Sequence, residues 1–406
     1  MIEDLDALLD LRQDALDDPY PLYHRLQSEA PVLIHRSMAI VTRHRDIEAV
    51  VRDMDSYSNR RDLGSRVTNA LAGMAPERER RTRENLRIYG LWLASTDPPI
   101  HTRIRSLAHR AFTPRHIQRM QELMLSTTDD LIDAGTADGT LEVIDGLAYE
   151  LPLFVIGSML GAPTEDRALI RRWSKAIAAG SSTDQLYSDE GLQAFEDFRA
   201  YIQDLIAERR KSRRTDLLAA LMEAREDGDQ LTQEELIATF MQLLWAGHET
   251  TTNLIGNLLH ALLDNPDQRR LIVEEPSRID AAVEEILRYD TSVQTIHRVP
   301  HHDVEIAGSR VPAGLTVRLV LGAAGRDPER YDDPDRFDIL RDGPHHFGFG
   351  VGPHFCLGAS LARQETAVAV GRLLERFPGL EAAEPIHIGP HATLRGPGRL
   401  RVALNA

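Results

Sequence analysis

Cys356 is the only cysteine of the chain, and the residue types around it suit the binding of a metal or a flat cofactor. Gly348, Gly350 and Gly352 precede it and Gly358 follows, so the backbone can turn tightly and approach a planar group closely. The cysteine also comes just before a segment with helical periodicity. The N-terminus of a helix favours the thiolate, which is the form of cysteine that binds metals.

The residues alone leave other roles open for Cys356. A lone cysteine is often a small core residue. Nearby His354 could serve a cysteine nucleophile, although a spacing of two residues does not define such a pair. The glycines do not form a dinucleotide loop, because Phe355 stands where the third glycine is needed. Structural zinc is excluded, because no second cysteine or ordered set of histidines accompanies this one.

Glu249 and Thr250 form a second group with chemical potential, in the middle of a predicted helix at 232–264. At about 1.5 Å per residue this helix would span roughly 50 Å and cross the whole domain. The segment before the pair is apolar on nearly every face, and polar groups in such a helix are costly unless they serve something. A carboxyl group there can relay protons. The alternative is a core network of threonine hydroxyls bonded back to helix carbonyls.

Composition and charge exclude several classes of protein. The chain has 406 residues with 47 basic and 63 acidic side chains, a net charge of −16, which argues against nucleic-acid binding. A single cysteine forms no intrachain disulfide and fits a reducing compartment. The acidic start MIEDLDALLD does not resemble a signal peptide, and no run of about 20 apolar residues predicts a membrane anchor. We therefore expect a cytoplasmic protein that does not bind membranes.

The elements that position these residues are mostly helices. Helical periodicity predicts helices at 43–53, 98–111, 114–133, 145–160, 165–178, 190–211, 232–264, 277–289 and 359–376. Short strands are predicted at 32–35, 39–42, 303–306, 310–311, 315–320 and the C-terminal end. Thr232 followed by Glu235 is a capping box that begins the long helix. Residues 55–95 are weakly patterned and are predicted to be a mobile loop with one short helix.

Five motifs, in order along the chain, resemble those of the cytochrome P-450 family. Residues 349–358 read FGVGPHFCLG and are similar to its haem-binding signature, FxxGxHxCxG. The other four are DPPIHTRIR at 97–105, AGHETT at 246–251, EILR at 285–288, and RDPE at 326–329 with PDRF at 334–337. They resemble, in turn, the start of a main helix in bacterial members, the oxygen-activation motif, the ExxR helix and the stretch before the cysteine loop. The resemblance covers nearly the whole chain.

The resemblance implies a mainly α cytochrome P-450 fold with small β-sheets, in a single domain over residues 1–406. It implies one haem b, with Cys356 as the axial ligand of the iron and with Phe349 and Gly358 in the binding signature. Four donors are implied to face the haem propionates: His101, Arg105, Arg298 and His354. Carboxylates inside a protein need such partners, because unpaired buried charge is costly.

The resemblance also assigns roles to the other motifs. Glu285 and Arg288 share a helix face and are implied to be a buried structural pair joined by Arg336. Glu249 and Thr250 are implied to relay protons and hold a water beside the haem. By position in the family, nine residues are expected to face the substrate: Trp92, Gln242, Trp245, Ala246, Val293, Gln294, Ile296, Thr393 and Leu394. Their mixture suggests a mostly apolar ligand with a few polar anchors.

The function implied is that of a haem-thiolate monooxygenase, which activates dioxygen and hydroxylates or epoxidises a mostly apolar small molecule, such as a secondary metabolite. The chain carries no convincing flavin, nicotinamide or iron–sulfur motif, so electrons are expected from a separate ferredoxin and ferredoxin reductase. Arginines at 103, 110, 115 and 119 could form a docking patch or a solvated helix face. Two alternatives stay open: a haem-thiolate enzyme for oxidative coupling or peroxide-driven oxidation, and a non-catalytic haem-binding protein.

Overall fold

The helices carry most of the chain. The computed structural model describes residues 1–60, 65–111, 114–182, 188–211, 216–225, 229–343 and 345–405. Its α-helices are α1 Ile2–Leu9, α2 Gln13–Asp17, α3 Tyr20–Glu29, α4 His44–Arg52, α5 Ser65–Leu71, α6 Pro76–Tyr89, α7 Ile100–Ala111, α8 Pro114–Gly135, α9 Glu150–Leu160, α10 Arg167–Ser182, α11 Asp189–Arg209, α12 Leu217–Glu223, α13 Gln233–Asp264, α14 Pro266–Glu274, α15 Ile279–Tyr289, α16 Leu321–Gly325 and α17 Ala359–Arg376. The nine predicted helices all appear, eight of them with at least one shifted end and the helix at 359–376 with the predicted bounds. The prediction of a mainly α fold with small sheets is confirmed.

The strands form small sheets beside the helices. They are β1 Val32–His35, β2 Met38–Val41, β3 Tyr57–Ser58, β4 Thr140–Glu142, β5 Thr295–Pro300, β6 Val304–Ile306, β7 Ser309–Val311, β8 Thr316–Val320, β9 Glu381–Ala382, β10 His387–Ile388, β11 Pro397–Arg399 and β12 Arg401–Ala403. The largest sheet has five strands in the order β1-β2-β8-β5-β3, and only its β2–β8 pair is parallel. Strand β5 matters for the site. It comprises residues 295–300, follows α15 in the chain and belongs to this sheet.

The central helix α13 is the element around which the core is built. It begins with the predicted capping box, in which Thr232 accepts from the Glu235 backbone and the Glu235 carboxylate accepts from the Thr232 backbone. Its 32 residues pack against α9, α11, α15 and α17. Leu244, Leu254 and Leu258 on this helix are almost fully buried. The helix therefore passes through the interior, as its apolar sequence predicts.

The prediction of a mobile loop at 55–95 was wrong for most of its length. Helix α6 occupies fourteen of these residues, beginning at Pro76. Its sequence is rich in charge, so the periodic apolar signal is weak. The helix is supported by pairs such as Arg83 with Glu79, 2.7 Å apart at i,i+4. It also reaches α11 through Arg81, which pairs with Glu196 at 2.8 Å.

Glu285 and Arg288 form the buried pair that the ExxR motif implies, but Arg336 joins it differently. The Arg288 guanidinium donates to both Glu285 oxygens at 2.7 and 2.8 Å, and neither side chain is more than 1% exposed. Arg336 contributes its backbone carbonyl, 3.0 Å from Arg288, while its side chain is 61% exposed. Arg341 supplies the second guanidinium near Glu285, at 3.4 Å. The implied side-chain role of Arg336 is therefore corrected to a backbone role.

None of the helices within the described residues is long and apolar enough to cross a membrane.

Candidate active site

One cavity brings Cys356 together with Thr250, whereas Glu249 is not on its wall. It has a volume of about 320 Å³ and is lined from α13, from β5 and from the loop that precedes α17. Cys356 and Thr250 both lie on its wall. They come from segments more than a hundred residues apart, and helix packing places them around the same space.

The cysteine loop is shaped by two glycines in the left-handed region. Gly350 has a φ of 69° and Gly352 a φ of 73°, values that other residues adopt only under strain. The turn is closed by the Cys356 N–H, which donates to the Phe349 carbonyl at 2.9 Å. The Gly358 N–H donates to the sulfur. The cysteine is thus presented to the cavity at the start of α17.

The surroundings of Cys356 have opposing effects on the pKa of its thiol. Burial within the fold raises the pKa of the thiol, while the Gly358 N–H and the guanidinium groups of Arg105 and Arg363 lower it. The side chain itself is exposed, because it faces the cavity rather than packed atoms. A cation on the cavity side of the sulfur would lower the pKa of the thiol and favour the thiolate.

The four predicted cationic or donor residues converge at one edge of this cavity. Arg105, Arg298 and His354 line it, and His101 stacks on His354 with ring centroids 3.9 Å apart. Asn59, which the sequence analysis missed, also lines the cavity and contacts the His354 ring nitrogen. No local pattern marks Asn59, since only the fold brings it beside the cysteine loop.

Two of these residues have a ring or guanidinium nitrogen without a hydrogen-bond partner among the described residues. The Nε2 atom of His101 and the Nε atom of Arg298 are buried with no hydrogen-bond partner there. Burial and the nearby charge of Arg105 lower the pKa of His101 to about 4, and burial lowers that of Arg298 to about 10. Buried donors of this kind are costly unless an anion accepts from them. The edge is therefore built to bind carboxylates or another anion.

Glu249 and Thr250 occupy different faces of α13. Thr250 lines the cavity and its hydroxyl donates to the Ala246 carbonyl at 2.8 Å, which leaves its oxygen lone pairs free to accept from a water. Glu249 lies beside His248 and Tyr149, and its Oε2 atom has no hydrogen-bond partner among the described residues. Burial raises the pKa of Glu249 to about 7, against the opposing charges of Lys175 and Arg171. A carboxyl in this state can give up and regain a proton at neutral pH.

His248 is held in one tautomer next to Glu249. Its Nδ1 lies 2.6 Å from the Leu244 carbonyl, which can only accept, so Nδ1 carries the proton. Burial lowers the pKa of His248 to about 4, so the ring is neutral and Nε2 is an acceptor. That nitrogen is 3.2 Å from the Tyr149 hydroxyl and 3.8 Å from Glu249. Only the protonated form of Glu249 can donate to it.

Comparisons with known proteins decide the family. A family model described as Cytochrome P450 matches residues 185–386. The chain is 39% identical over 381 residues to the cytochrome P450 monooxygenase PikC of Streptomyces venezuelae, covering 91% of this chain and 86% of that protein. It is 38% identical over 372 residues to the vitamin D(3) 25-hydroxylase of Pseudonocardia autotrophica, covering 90% and 88%. The ligand-free structure of Mycobacterium smegmatis CYP164A2 is 37% identical, with a TM-score of 0.87 and 99% of each chain covered. The chain belongs to the cytochrome P450 family.

This cytochrome P450 is a monooxygenase with haem b as its cofactor, acting on a small molecule with dioxygen and redox partners. The residues on the cavity wall fit haem b. A single thiol stands on the wall together with Arg105, Arg298 and His354, and the Nε atom of Arg298 has no partner among the described residues, so two propionates would find donors there. A Cβ atom at Gly358 would meet nothing within 4 Å, so the space beside the sulfur is open.

The cytochrome P450 cavity also contains a carboxyl group that the sequence analysis missed. Glu365 on α17 lines the cavity and is fully buried, and burial raises its pKa well above the ordinary value while the Thr251 hydroxyl opposes the shift. Burial therefore favours the protonated form of Glu365. It lies in a helical stretch of mixed composition, where nothing in the pattern distinguishes it from a surface glutamate.

The residues expected to face the substrate of this cytochrome P450 divide into two groups. Gln242, Ala246, Val293 and Ile296 line the cavity. The structure places five others away from the lining: Trp92, Trp245, Gln294, Thr393 and Leu394. Gln294 is turned aside because its amide donates to the Thr291 carbonyl at 2.8 Å.

The predicted docking arginines of the cytochrome P450 do not form one free patch. Arg103 pairs with Glu235 and with Asp229 on the far side of α7. Arg110 donates to the Arg225 carbonyl at 3.1 Å. The side chains of residues 115 and 119 lie outside the described part of the structure. A surface groove beside the cysteine loop is instead lined by Arg105, His109, Arg110 and their neighbours.

Glu249 gives a testable pH dependence. Its raised pKa means that the folded protein keeps a proton that the unfolded chain loses between about pH 4.5 and about pH 7, so stability is lost as pH rises through that window. Glu249→Gln removes this penalty. We expect its free energy of unfolding, relative to the parent, to rise by about 3 kcal/mol across the window. Chemical denaturation at several pH values measures this, and a difference that stays constant with pH contradicts the assignment.

Proposed function

We propose that this cytochrome P450 binds the haem iron through Cys356 and hydroxylates or epoxidises a mostly apolar small molecule, a secondary metabolite. One observation carries the proposal: the thiol, the basic side chains of Arg105 and Arg298, and Thr250 all line a single cavity. The names of its relatives support the reaction type, since one is a monooxygenase and another a vitamin D(3) hydroxylase. The predominantly apolar residues of the α13 wall, such as Leu243, Ala246 and Leu254, support an apolar substrate.

Bound here, haem supplies the activation of dioxygen, and a thiolate ligand favours cleavage of the O–O bond. The residues of the chain stabilise the thiolate and supply the water and the protons. The Gly358 N–H stabilises the sulfur as a thiolate. Thr250 holds a water at the cavity wall. Glu249 is on another face of α13, and its pKa of about 7 lets it exchange protons near neutral pH, so it is the proposed source of protons for that water. Glu365 is a second carboxyl with a raised pKa, and it lies on the cavity wall itself.

We propose that His101, Arg105, Arg298 and His354, assisted by Asn59, bind the haem propionates. The variant His101→Ala/Arg105→Ala loses two charge-assisted bonds worth about 1.5–3 kcal/mol each, so haem affinity should fall at least about a hundredfold. Transfer of haem to an acceptor protein measures its loss rate. Arg103→Ala is the control, because Arg103 lies on the same helix but pairs with Glu235 and Asp229. Unchanged haem loss in the double variant would rule the assignment out.

We propose that a separate ferredoxin and its reductase supply the electrons. The groove beside the cysteine loop, with Arg105 and Arg110 on its wall and the 41% exposed Phe355 nearby, is the proposed docking site. With a substrate identified from its effect on the haem spectrum, NAD(P)H alone should give no product. Added ferredoxin and reductase should give turnover that weakens with salt, since salt screens charge steering. Spectral binding without turnover would indicate a non-catalytic haem protein, and turnover with NAD(P)H alone would contradict the partner.

A further inference from the structure

A group of hydrogen-bond donors without partners among the described residues lines the end of the cavity formed by the part of α13 that precedes Thr250. It centres on Gln242 and Thr239, which line the cavity from α13. The two are three residues apart and therefore neighbours on one helix face. Thr239 lies eleven residues before Thr250, and Gln242 lies eight residues before it, which corresponds to roughly 12–16 Å along the helix axis.

The orientation of the Gln242 amide is determined by the backbone. Its Oε1 atom accepts from the Leu93 N–H at 2.6 Å. Since an N–H donor requires the oxygen at that position, the amino group of Gln242 points elsewhere. It donates no hydrogen bond to the described residues, and the side chain lines the cavity. Gln242 therefore presents donors to the cavity and no acceptor.

Thr239 differs from the other threonines of α13. Thr250, Thr251 and Thr252 each donate back to the carbonyl four residues earlier, at 2.8 to 3.2 Å. Thr239 is only 3% exposed, yet its hydroxyl has no partner among the described residues. A buried hydroxyl that does not bond to its own helix is costly unless something else accepts from it.

Two indole groups flank this pair and are also unpaired. Trp92 adjoins Leu93, and Trp245 lies one helical turn after Gln242. Their rings are 5.5 Å apart, and neither Nε1–H has a partner among the described residues. Neither indole is on the cavity wall, so Thr239 and Gln242 supply the donors at this end of the cavity.

The charged groups of the described lining lie elsewhere. Arg105, Arg298 and Glu365 all belong to the part of the wall around the cysteine loop and the propionate edge. With no cation at the Thr239 end of the described lining, that end is unsuited to a carboxylate. A neutral oxygen acceptor matches it, because it accepts from two donors at no cost in buried charge.

We propose that Thr239 and Gln242 bind a neutral oxygen of the substrate. The substrate class is then a mostly apolar molecule with a ketone, ester or hydroxyl oxygen roughly 12–16 Å from the carbon that is oxidised. The two donors set which end of the molecule reaches the haem. The distance to the oxidised carbon rests on the proposed function, whereas the binding of the oxygen does not.

The binding claim is tested on the haem-loaded protein by calorimetry with three linear probes of equal chain length. These are undecyl methyl ketone, dihexyl ketone and tridecane. The first carries its carbonyl near one end, the second in the middle, and the third has none. We expect the methyl ketone to bind about tenfold more tightly than either of the others, since two neutral hydrogen bonds are gained.

Variants connect that preference to the two donors. Thr239→Val/Gln242→Leu should lose the tenfold preference, and Thr239→Ser should keep it. Thr252→Val is the matched control, because the Thr252 hydroxyl donates to the His248 carbonyl and does not line the cavity. Equal binding of the ketones and the alkane by the parent, or a preference that survives in the double variant, overturns the proposal.

The position of oxidation tests the orientation separately. With the ferredoxin system, undecyl methyl ketone should be oxidised near the end opposite its carbonyl, and the double variant should scatter the products along the chain. If undecyl methyl ketone binds preferentially but is not oxidised, the binding site at Thr239 and Gln242 is supported and the proposed function is contradicted. Oxidation beside the carbonyl would contradict the orientation.

Discussion

Thr250→Ala is expected to lower the product formed per NAD(P)H consumed by at least about tenfold, while haem binding and iron reduction stay at the level of the parent. Thr250 is on the cavity wall, and its hydroxyl is the group proposed to hold a water there. Proton transfer by a positioned group contributes about 10²–10⁴-fold to a reaction, so its loss diverts reducing equivalents into hydrogen peroxide. Product, NAD(P)H and peroxide are assayed in the same reaction.

A matched control separates this effect from a change in packing. Thr252→Ala removes a hydroxyl from the same helix that donates to the His248 carbonyl at 2.9 Å and does not line the cavity. Its coupling should equal that of the parent, with a stability change of about 1 kcal/mol. If Thr250→Ala is as well coupled as the parent, Thr250 is a structural core residue and the proton comes from elsewhere, with Glu365 as the next group to replace.

Arg288→Leu is expected to cost about 3–5 kcal/mol in the free energy of unfolding, because it leaves the Glu285 carboxylate buried without its partner. Besides Glu285, the Arg288 guanidinium donates to the carbonyls of Gly325, Pro334 and Arg336 at 2.8 to 3.0 Å. It therefore ties α15 to the stretch that leads to the cysteine loop. Chemical denaturation of the haem-loaded protein measures the loss.

Two further variants keep this prediction testable if Arg288→Leu does not fold. Arg288→Lys keeps the charge but lacks the planar fork needed for three carbonyls, so it should be destabilised by less. Arg336→Ala should change stability by no more than about 0.5 kcal/mol, since its side chain is 61% exposed and its ion pair with Asp338 is long, at 3.8 Å. A larger loss in Arg336→Ala than in Arg288→Lys would restore the side-chain role that the motif implies.

Long periodic elements were predictable from the sequence. The capping box at Thr232 and the apolar run after it place the start of α13 within one residue. The thiol on the cavity wall follows from a glycine turn whose φ values only glycine adopts easily. Such features are local, because their cause lies within a few residues of the effect.

Features created by packing between distant segments were not predictable. Asn59 contacts His354, and Glu365 approaches Thr251, only because separate elements meet at the cavity. Arg341, rather than the side chain of Arg336, reaches Glu285, since the chain between them turns. The periodicity of the sequence does not indicate such contacts between distant segments.

The expected substrate residues show the same limit within single elements. Val293 and Ile296 face the cavity, but Gln294 between them packs against Gly322 and bonds to the Thr291 carbonyl. Trp245 turns away from the wall that its helix neighbours Gln242 and Ala246 share. Position in a motif thus places the backbone near the site, while the direction of the side chain depends on packing.

The central claim is that Cys356 supplies the thiolate that ligates the haem iron. The direct measurement is the absorption spectrum of the reduced protein with carbon monoxide, for the parent and for Cys356→His. The parent should show the band typical of thiolate-ligated haem, and the variant should show the band typical of histidine-ligated haem. A histidine-type spectrum in the parent, or a thiolate-type band that persists in the variant, would contradict the account.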